Sequence, residues 1–347
     1  MKSNPSPKRI LAINSLDARH GSTYRMRALT QLMDQAGFEV KYSEGKGSKL
    51  TRLLVAMYLS MGKYDLLFTQ KFNPVTVAAL VIAKLRGMPT VADWDDIDYS
   101  MHRNQLKALV SFWCEQIGPM WCDTITTHSN VIKKKMSRSN RAVHILHQGF
   151  DNDLFFRSEK TREKTRHSLG YTSEHFVVGH MCTFTPGGTI DLDLILNSFA
   201  AVQNGRARFL LIGGGRLHAQ IQDKVNQLGL SDRLTITGLI PHEKIPDYLS
   251  SLDLSVVYMS DNEANRARVS FKVLESLAMG VPVMGKLVGE SNMLFGPMIH
   301  NVAEENFARQ IDNAADASLP QQGPDMSNFT WKKNLPVLTK ILDQLLQ

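Results

Sequence analysis

Apolar positions in the first half of the chain fall into short runs that alternate with stretches of helical spacing. Residues 9–14 read as an apolar strand. Residues 22–36 place Met26, Leu29, Leu32 and Met33 three and four apart, and Gly37 closes that helix as a C-cap. The alternation continues with strands over 38–42, 65–69, 89–93, 124–127 and 143–146. Helices are expected over 49–61, 74–86 (ended by Gly87), 105–117 and 129–136, the last with Ser129 as its N-cap. Residues 149–170 are rich in charge and turn formers and read as a linker. The pattern then restarts. Strands are expected over 176–180, 208–212, 234–237, 254–258 and 282–284. Helices are expected over 192–202, 217–228, 243–251, 271–279, 304–315 and 331–346. Two consecutive sets of strand–helix units predict two parallel sheets with helices on both faces, and ligands at the carboxyl ends of the strands.

Length agrees with this division, since 347 residues suit two domains of roughly 100–200 residues each. With 43% hydrophobic and 21% charged residues the chain is globular in composition. No apolar run approaches the roughly 18–20 residues of a membrane-spanning helix, and the apolar run 10–13 is too short for a signal-peptide core. These features predict a cytoplasmic protein. Cys114, Cys122 and Cys182 are scattered and odd in number, which argues against a disulfide framework or a zinc site.

Charge changes the picture. The net charge is +7, but residues 1–160 carry 23 Lys and Arg against 14 Asp and Glu, a net +9, while the remainder carries −2. A basic first half predicts an anionic partner on that side, or else an ordinary solvated surface. Lys46, Lys49, Arg52 and Lys63 flank the apolar residues 53–59. That segment could lie on an anionic membrane or simply pack on the sheet. No nucleic-acid motif accompanies the charge, so no nucleic-acid partner is expected.

Candidate chemistry falls at the ends of the predicted strands. Gly213, Gly214 and Gly215 follow one strand and precede a helix, where backbone N–H groups can approach a phosphate; a tight turn is the alternative. Gly238 ends the next strand, and Leu239, Ile240 and Pro241 can offer backbone groups and an apolar face to a flat base. Gly21 and Ser22 open the first helix, where the dipole and free N–H groups favour an anion; capping by Ser22 is compatible with that. Asp93, Asp95, Asp96 and Asp98 form the densest acidic cluster, with Lys71 as a counter-charge. Asp93, Asp95 or Asp96 would bind hydroxyl groups or act as base, or else cap the next segment.

The run from Ile212 to Gly238, continued by Leu239, Ile240, Pro241, His242 and Glu243, resembles the C-terminal domain of retaining glycosyltransferases of family-4 type, glycosyl transferases group 1. The run Phe271, Lys272, Val273, Leu274, Glu275 followed by Gly280, Val281, Pro282 and Val283 matches the second half of that family's two-glutamate signature. The resemblance implies an α/β fold of two doubly wound Rossmann-like domains facing a cleft, the GT-B fold. It implies domains over 1–160, acceptor-side, and 161–325, nucleotide-sugar-binding, with 326–347 crossing back to the first. Its implied activity is retaining transfer from a nucleotide-diphosphate sugar to a glycan or lipid-linked acceptor, in glycan, polysaccharide or glycolipid biosynthesis. The nucleotide sugar is a co-substrate, and neither cofactor nor metal is implied. Glu275 would hold the donor ribose hydroxyls, and Gly21, Ser22, Thr183, Gly213, Gly214, Leu239, Ile240, Ser270 and Phe271 would complete the donor site.

Two departures stand out. Ala267 occupies the place of the first glutamate, and His180 stands where an arginine is common. The diphosphate charge would then fall on Arg268 and Lys272. A non-catalytic nucleotide-sugar-binding relative, or a sugar-nucleotide epimerase on the same fold, is the alternative. The implied location is cytoplasmic, peripheral on the inner face of the membrane.

Overall fold

A computed structural model describes residues 6–16, 21–102, 104–136, 142–317 and 323–347. The chain forms two units. The first comprises Met1–Gly149, Arg266–Val269 and Phe329–Gln347; the second comprises Phe150–Asn265 and Ser270–Asn328.

The first unit alternates β1 (Arg9–Ile13), α1 (Gly21–Gln35), β2 (Glu39–Ser43), α2 (Lys49–Ser60), β3 (Leu66–Gln70), α3 (Pro74–Leu85) and β4 (Thr90–Asp93). It continues with α4 (Gln105–Ile117), β5 (Thr124–Thr127), α5 (Asn130–Met136) and β6 (Ala142–Ile145). The six strands are parallel in the order β2-β1-β3-β4-β5-β6. Successive side chains on a strand point to opposite faces, so each strand feeds two cores. Leu11, Ile13, Leu67, Ala92 and Ile125 pack under α2, α3 and α5 through Ala56, Ala79, Leu80, Ala83 and Ile132. Ile10, Ala12, Leu66, Phe68 and Val91 pack on the other face under Met26, Leu29 and Met33 of α1.

The second unit runs α6 (Glu159–Ser168), β7 (Phe176–Met181), α7 (Leu192–Ala200), β8 (Ala207–Ile212), α8 (His218–Gln227), β9 (Leu234–Ile236), α9 (Ile245–Ser250) and β10 (Leu254–Tyr258). Then come α10 (Glu263–Ala267), α11 (Phe271–Ala278), β11 (Val283–Lys286), α12 (Gly289–Phe295), β12 (His300–Asn301) and α13 (Phe307–Asp316). Its six parallel strands lie in the order β12-β11-β10-β7-β8-β9. Both units are therefore doubly wound, as the alternating pattern predicts. In each the strand order reverses once, between β1 and β3 and between β7 and β10, and a sheet of this kind opens a ligand-sized crevice at such a point.

The chain ends in a short 3-10 turn (Trp331–Asn334) and α14 (Leu335–Leu346), not the single helix expected over 331–346. Pro336 lacks an N–H, which is tolerated only in the first turn of a helix, so the regular helix restarts there. Leu338, Ile341 and Leu342 of α14 are buried against α1 in the first unit, and Asn334 Nδ2 donates to the His147 carbonyl at 2.9 Å.

The segment 149–170 is not all linker. The chain passes between units at Gly149–Phe150, and α6 lies within the stretch. Hydropathy misses α6 because polar bonds hold it. Arg162 Nη2 and Arg166 Nη2 reach opposite oxygens of Asp253, the first at 2.5 Å. Arg162 Nη1 also donates to the Ser250 and Leu252 carbonyls at 2.9 and 2.8 Å.

Leu338→Ala should lower stability by about 2–5 kcal/mol, since it opens a cavity between α14 and α1. Urea unfolding of the full chain, followed by circular dichroism, will show the shift.

Candidate functional site

In the first unit the polar side chains gather where β3, β4 and β5 end. Asp93, the last residue of β4, is fully buried. Its two oxygens take a bidentate pair from Arg25 of α1, Nε at 2.7 Å and Nη2 at 2.8 Å, and a third bond from Thr126 Oγ1 at 2.7 Å. Arg25, also fully buried, donates further to Gln148 Oε1 and to the Leu146 carbonyl. Asp93 thus ties α1, β4 and β5 together. Burial acts to lower the Arg25 guanidinium, but Asp93 overrides it and raises its pKa.

Lys71 follows β3 and is the neighbouring charge centre. Its ammonium lies 3.4, 3.0 and 2.8 Å from Asp95, Asp96 and Asp98. Among the described residues it is the non-glycine with positive φ, at 62°, a conformation that costs energy and persists only when surroundings enforce it. Burial lowers the Lys71 ammonium, but the three carboxylates outweigh it and hold it well above its ordinary range. Asp96 behaves oppositely to Asp95. Burial works to raise Asp96, yet Lys71 and Arg268 hold it far below the usual carboxylate range. For Asp95, burial and the neighbouring aspartates win against Lys71 and push it up to about 7. Gln70 Nε2 donates to Asp95 Oδ2 at 3.3 Å, whereas Oδ1 lies near Lys71 but out of line for a hydrogen bond.

Two members of this cluster escape sequence reasoning. Glu115, the one acid of α4 and buried, accepts from the Tyr99 N–H at 3.1 Å. Burial, aided by Asp98, pushes it up to about 8. His128 is buried, with Nδ1 unpartnered, and burial reinforced by Arg25 lowers it to about 3. A lone glutamate on an apolar helix was the available signal for the first; nothing in the local sequence marks the second.

Gly21 and Ser22 sit at the start of α1, beside the β1–β3 reversal. Gln70 Nε2 donates to the Ser22 carbonyl at 2.7 Å, which ties that helix start to the Lys71 cluster. The preceding Asp17–His20 segment of the expected loop lies outside the described residues. Arg268 groups with this first unit, its Nε 3.6 Å from Asp96 Oδ1.

In the second unit the glycine turn is a packing device. A Cβ at Gly213 would lie 1.8 Å from the Cys182 carbonyl oxygen, at Gly214 2.5 Å from the Leu239 amide nitrogen, and at Gly215 2.7 Å from the Phe184 carbonyl oxygen. The turn thereby draws the loops after β7 and β9 against the end of β8. The turn precedes α8, which starts at His218, one residue from the expected 217, and the Gly213 N–H donates to Thr237 Oγ1 at 3.0 Å. Leu239 is exposed and Ile240 half-buried, while Thr183 is exposed after β7.

Glu275 on α11 is 4% exposed. Its Oε1 accepts from His242 Nε2 at 2.7 Å, and the His242 ring packs against Phe155 at 5.4 Å. Ser270 precedes α11, its N–H donating to Ser291 Oγ at 3.0 Å. Phe271 and Lys272 form the first turn of α11 and are half-buried. His180, on β7, donates from Nδ1 to the Val256 carbonyl of β10 at 2.8 Å, bridging the strand reversal. Burial, then the nearby Lys272 charge, lowers it to about 3, so it is neutral at physiological pH. Lys272 and Glu275 thus gather beside His242 and His180, whereas Arg268 belongs with the acidic loop of the first unit. Glu290, buried on α12, is a further acid that the sequence reading left aside.

This arrangement defines a class. Residues 175–316 match the family model described as glycosyl transferases group 1, the family that the sequence resemblance names. The two-sheet architecture is that of GT-B structures. HepE from Anabaena, solved with UDP and glucose, aligns with a TM-score of 0.73 at 17% identity, covering 97% of this chain and 100% of that one. Sucrose-phosphate synthase from Thermosynechococcus elongatus aligns with a TM-score of 0.72 at 15% identity, covering 97% and 99%. Among curated proteins, the chain is 22% identical over 207 residues to TuaH of Bacillus subtilis, a protein named for teichuronic acid biosynthesis, covering 58% of this chain and 50% of TuaH. It is 23% identical over 231 residues to mannosylfructose-phosphate synthase of Agrobacterium fabrum, covering 62% and 48%. The chain spans about half the length of these curated relatives.

Asp93→Asn leaves Arg25 as a buried charge without its counter-ion, and should cost about 3–5 kcal/mol. Urea titration at neutral pH checks it. Asp95 has a folded pKa above that of an unfolded aspartate, so its contribution favours the fold below about pH 4 and is lost as pH rises toward 7. Asp95→Asn should therefore become more stable relative to the natural protein as pH rises from 4 to 8. Paired denaturation midpoints at the two pH values measure it, and a constant difference would remove the assignment.

Proposed function

We propose that this protein is a retaining glycosyltransferase that moves a sugar from a nucleotide-diphosphate sugar to a glycan or lipid-linked acceptor. The supporting observation is the buried Glu275 on α11, within the segment matched by the group 1 family model. A carboxylate offers two acceptor oxygens to a vicinal diol, as a ribose presents. In this reading the donor is held by the second unit. The base lies against Leu239 and Ile240, the ribose on Glu275, and the diphosphate at the start of α11 near Ser270, Phe271 and Lys272, with Thr183 and the Gly213–Gly214 turn completing the site. Lys272 and the helix N-terminus stabilise the leaving diphosphate, an electrostatic contribution that grows as the bond to the sugar breaks. Arg268 is engaged by Asp96, so the reading assigns the larger share of the diphosphate to Lys272.

The acceptor is assigned to the first unit, where Asp95 and Asp96 lie. A carboxyl poised near neutrality suits proton transfer from an acceptor hydroxyl, and Asp95 is the aspartate of the cluster with that property. Names of relatives support a role in polysaccharide or glycoside synthesis: TuaH is named for teichuronic acid biosynthesis and mannosylfructose-phosphate synthase for its product. Among the described residues no helix is long and apolar enough to cross a membrane, and the reading places the protein in the cytoplasm, at the membrane surface where a lipid-linked acceptor would be met.

Loss of hydrogen bonds to a charged group is worth about 1.5–3 kcal/mol, so Glu275→Ala and Lys272→Ala should each weaken donor binding roughly 10- to 150-fold. A thermal-shift screen of nucleotide sugars identifies the donor through ligand-induced stabilisation, and calorimetry with that donor measures the variants. Unchanged donor affinity in both variants would overturn the site; donor binding with no transfer to any acceptor would favour the non-catalytic alternative.

A further inference from the structure

The helices that cover one face of the first sheet expose apolar surface that this chemistry does not use. On α4, Leu106, Leu109, Val110, Trp113 and Ile117 are exposed, and Met120 continues the row; Leu106 is 70% and Trp113 54% accessible. Positions three and four apart share one helix face, so these residues form a single outward stripe. Amphipathic surface helices ordinarily turn that stripe to the core, yet here the buried residue of α4 is Glu115. On α2 the pattern repeats: Leu50, Leu54, Tyr58 and Met61 are exposed, and Tyr58 is 72% accessible. Ala56 supplies the inward contact, beside α3. The two helices lie on the same side of the sheet, with α3 packed against both.

The charges around these stripes have one sign. Lys46, Lys49, Arg52 and Lys63 surround α2, and no acidic residue occurs from 45 to 64. Lys107 lies on α4, whose one acid is buried. Lys135 of α5 sits over the Tyr99 ring at 4.9 Å, and Tyr99 packs edge-on against Phe112 of α4 at 5.4 Å. Protein–protein interfaces are depleted in lysine, whereas apolar helix faces bordered by Lys and Arg and carrying Trp suit the headgroup region of an anionic bilayer.

We propose that α2 and α4 together form a docking face for an anionic phospholipid bilayer. Leu106, Trp113 and Ile117, with Leu54 and Tyr58, enter the boundary between headgroups and acyl chains, while the exposed Lys46, Lys49 and Lys63 meet lipid phosphates. The proposal deepens the reading of the first unit as the acceptor side, and its test is independent of the donor.

Flotation of the full chain with phosphatidylglycerol–phosphatidylcholine vesicles is compared with flotation on phosphatidylcholine alone. Binding should require the anionic lipid. It should fall at least tenfold in the Leu106→Ser/Trp113→Ser/Ile117→Ser variant and in the Lys46→Ser/Lys49→Ser/Lys63→Ser variant, both confined to exposed positions. Brominated lipid should quench tryptophan fluorescence in the natural protein, and Trp113→Phe should abolish most of that quenching. No binding to anionic vesicles, quenching unaltered by Trp113→Phe, or a dimer in light scattering that the α4 variant dissolves would each overturn the proposal. Donor binding by calorimetry separates the two readings: vesicle binding lost with donor binding intact defeats only the docking face, and the converse defeats only the glycosyltransferase reading.

Discussion

An ammonium group enclosed by carboxylates organises the first unit. Lys71, Asp95, Asp96 and Asp98 are buried or nearly so, and taking charges out of water is costly unless partners and hydrogen bonds compensate. The chain meets that requirement by holding Lys71 at a positive φ, which carries its side chain into the loop after β4. The neighbouring Arg25–Asp93 pair anchors α1 to the same strand ends. With charges this close, neighbouring aspartates cannot share one protonation state: Asp96 stays ionised against Lys71 and Arg268, and Asp95 is driven toward neutrality. A polar cluster whose aspartates differ in protonation is the result.

The second unit solves a different problem. Three strand ends must come close enough for their loops to share a site, and side chains on the turn after β8 would keep them apart. Gly213, Gly214 and Gly215 remove that obstacle. α11 then brings Lys272 and Glu275, three residues apart, up on one face. His242 holds the Glu275 carboxylate in place from the loop after β9, so a residue from one strand end orients a residue supplied by another. The absent first glutamate of the family signature is matched by Ala267, which is buried with the first unit's core; a carboxylate at that position would have no solvent.

Much of the fold is legible in the chain because both its causes are local. Strands that alternate with amphipathic helices imply parallel sheets, and turn glycines mark where helices stop. α6 was not legible, since its attachment is two arginines on one distant aspartate and leaves no apolar stripe. The helix expected from 331 begins at Leu335, about one turn later, with Pro336 in its first turn, which is the expected effect of a residue without an N–H. The exposed stripe of α4 was also hidden: an apolar face reads the same whether it turns inward or outward, and periodicity alone carries no sign.

For the site, the sequence by itself determined which residue types were present and which motif surrounded Glu275, because those depend on neighbours along the chain. It located the acidic cluster and Lys71 as well, since they end adjacent predicted strands. Only the tertiary structure decided how the carboxylates divide their roles, with Asp93 committed to Arg25 and Asp95 left to titrate. Only it brought Glu115 and His128 to the cluster, paired Arg268 with Asp96, and placed His242 on Glu275. The physical reason is common to all of these. A pKa, a counter-ion and a hydrogen bond depend on burial and on distances of a few ångströms, and those are set by strands and helices far apart in sequence.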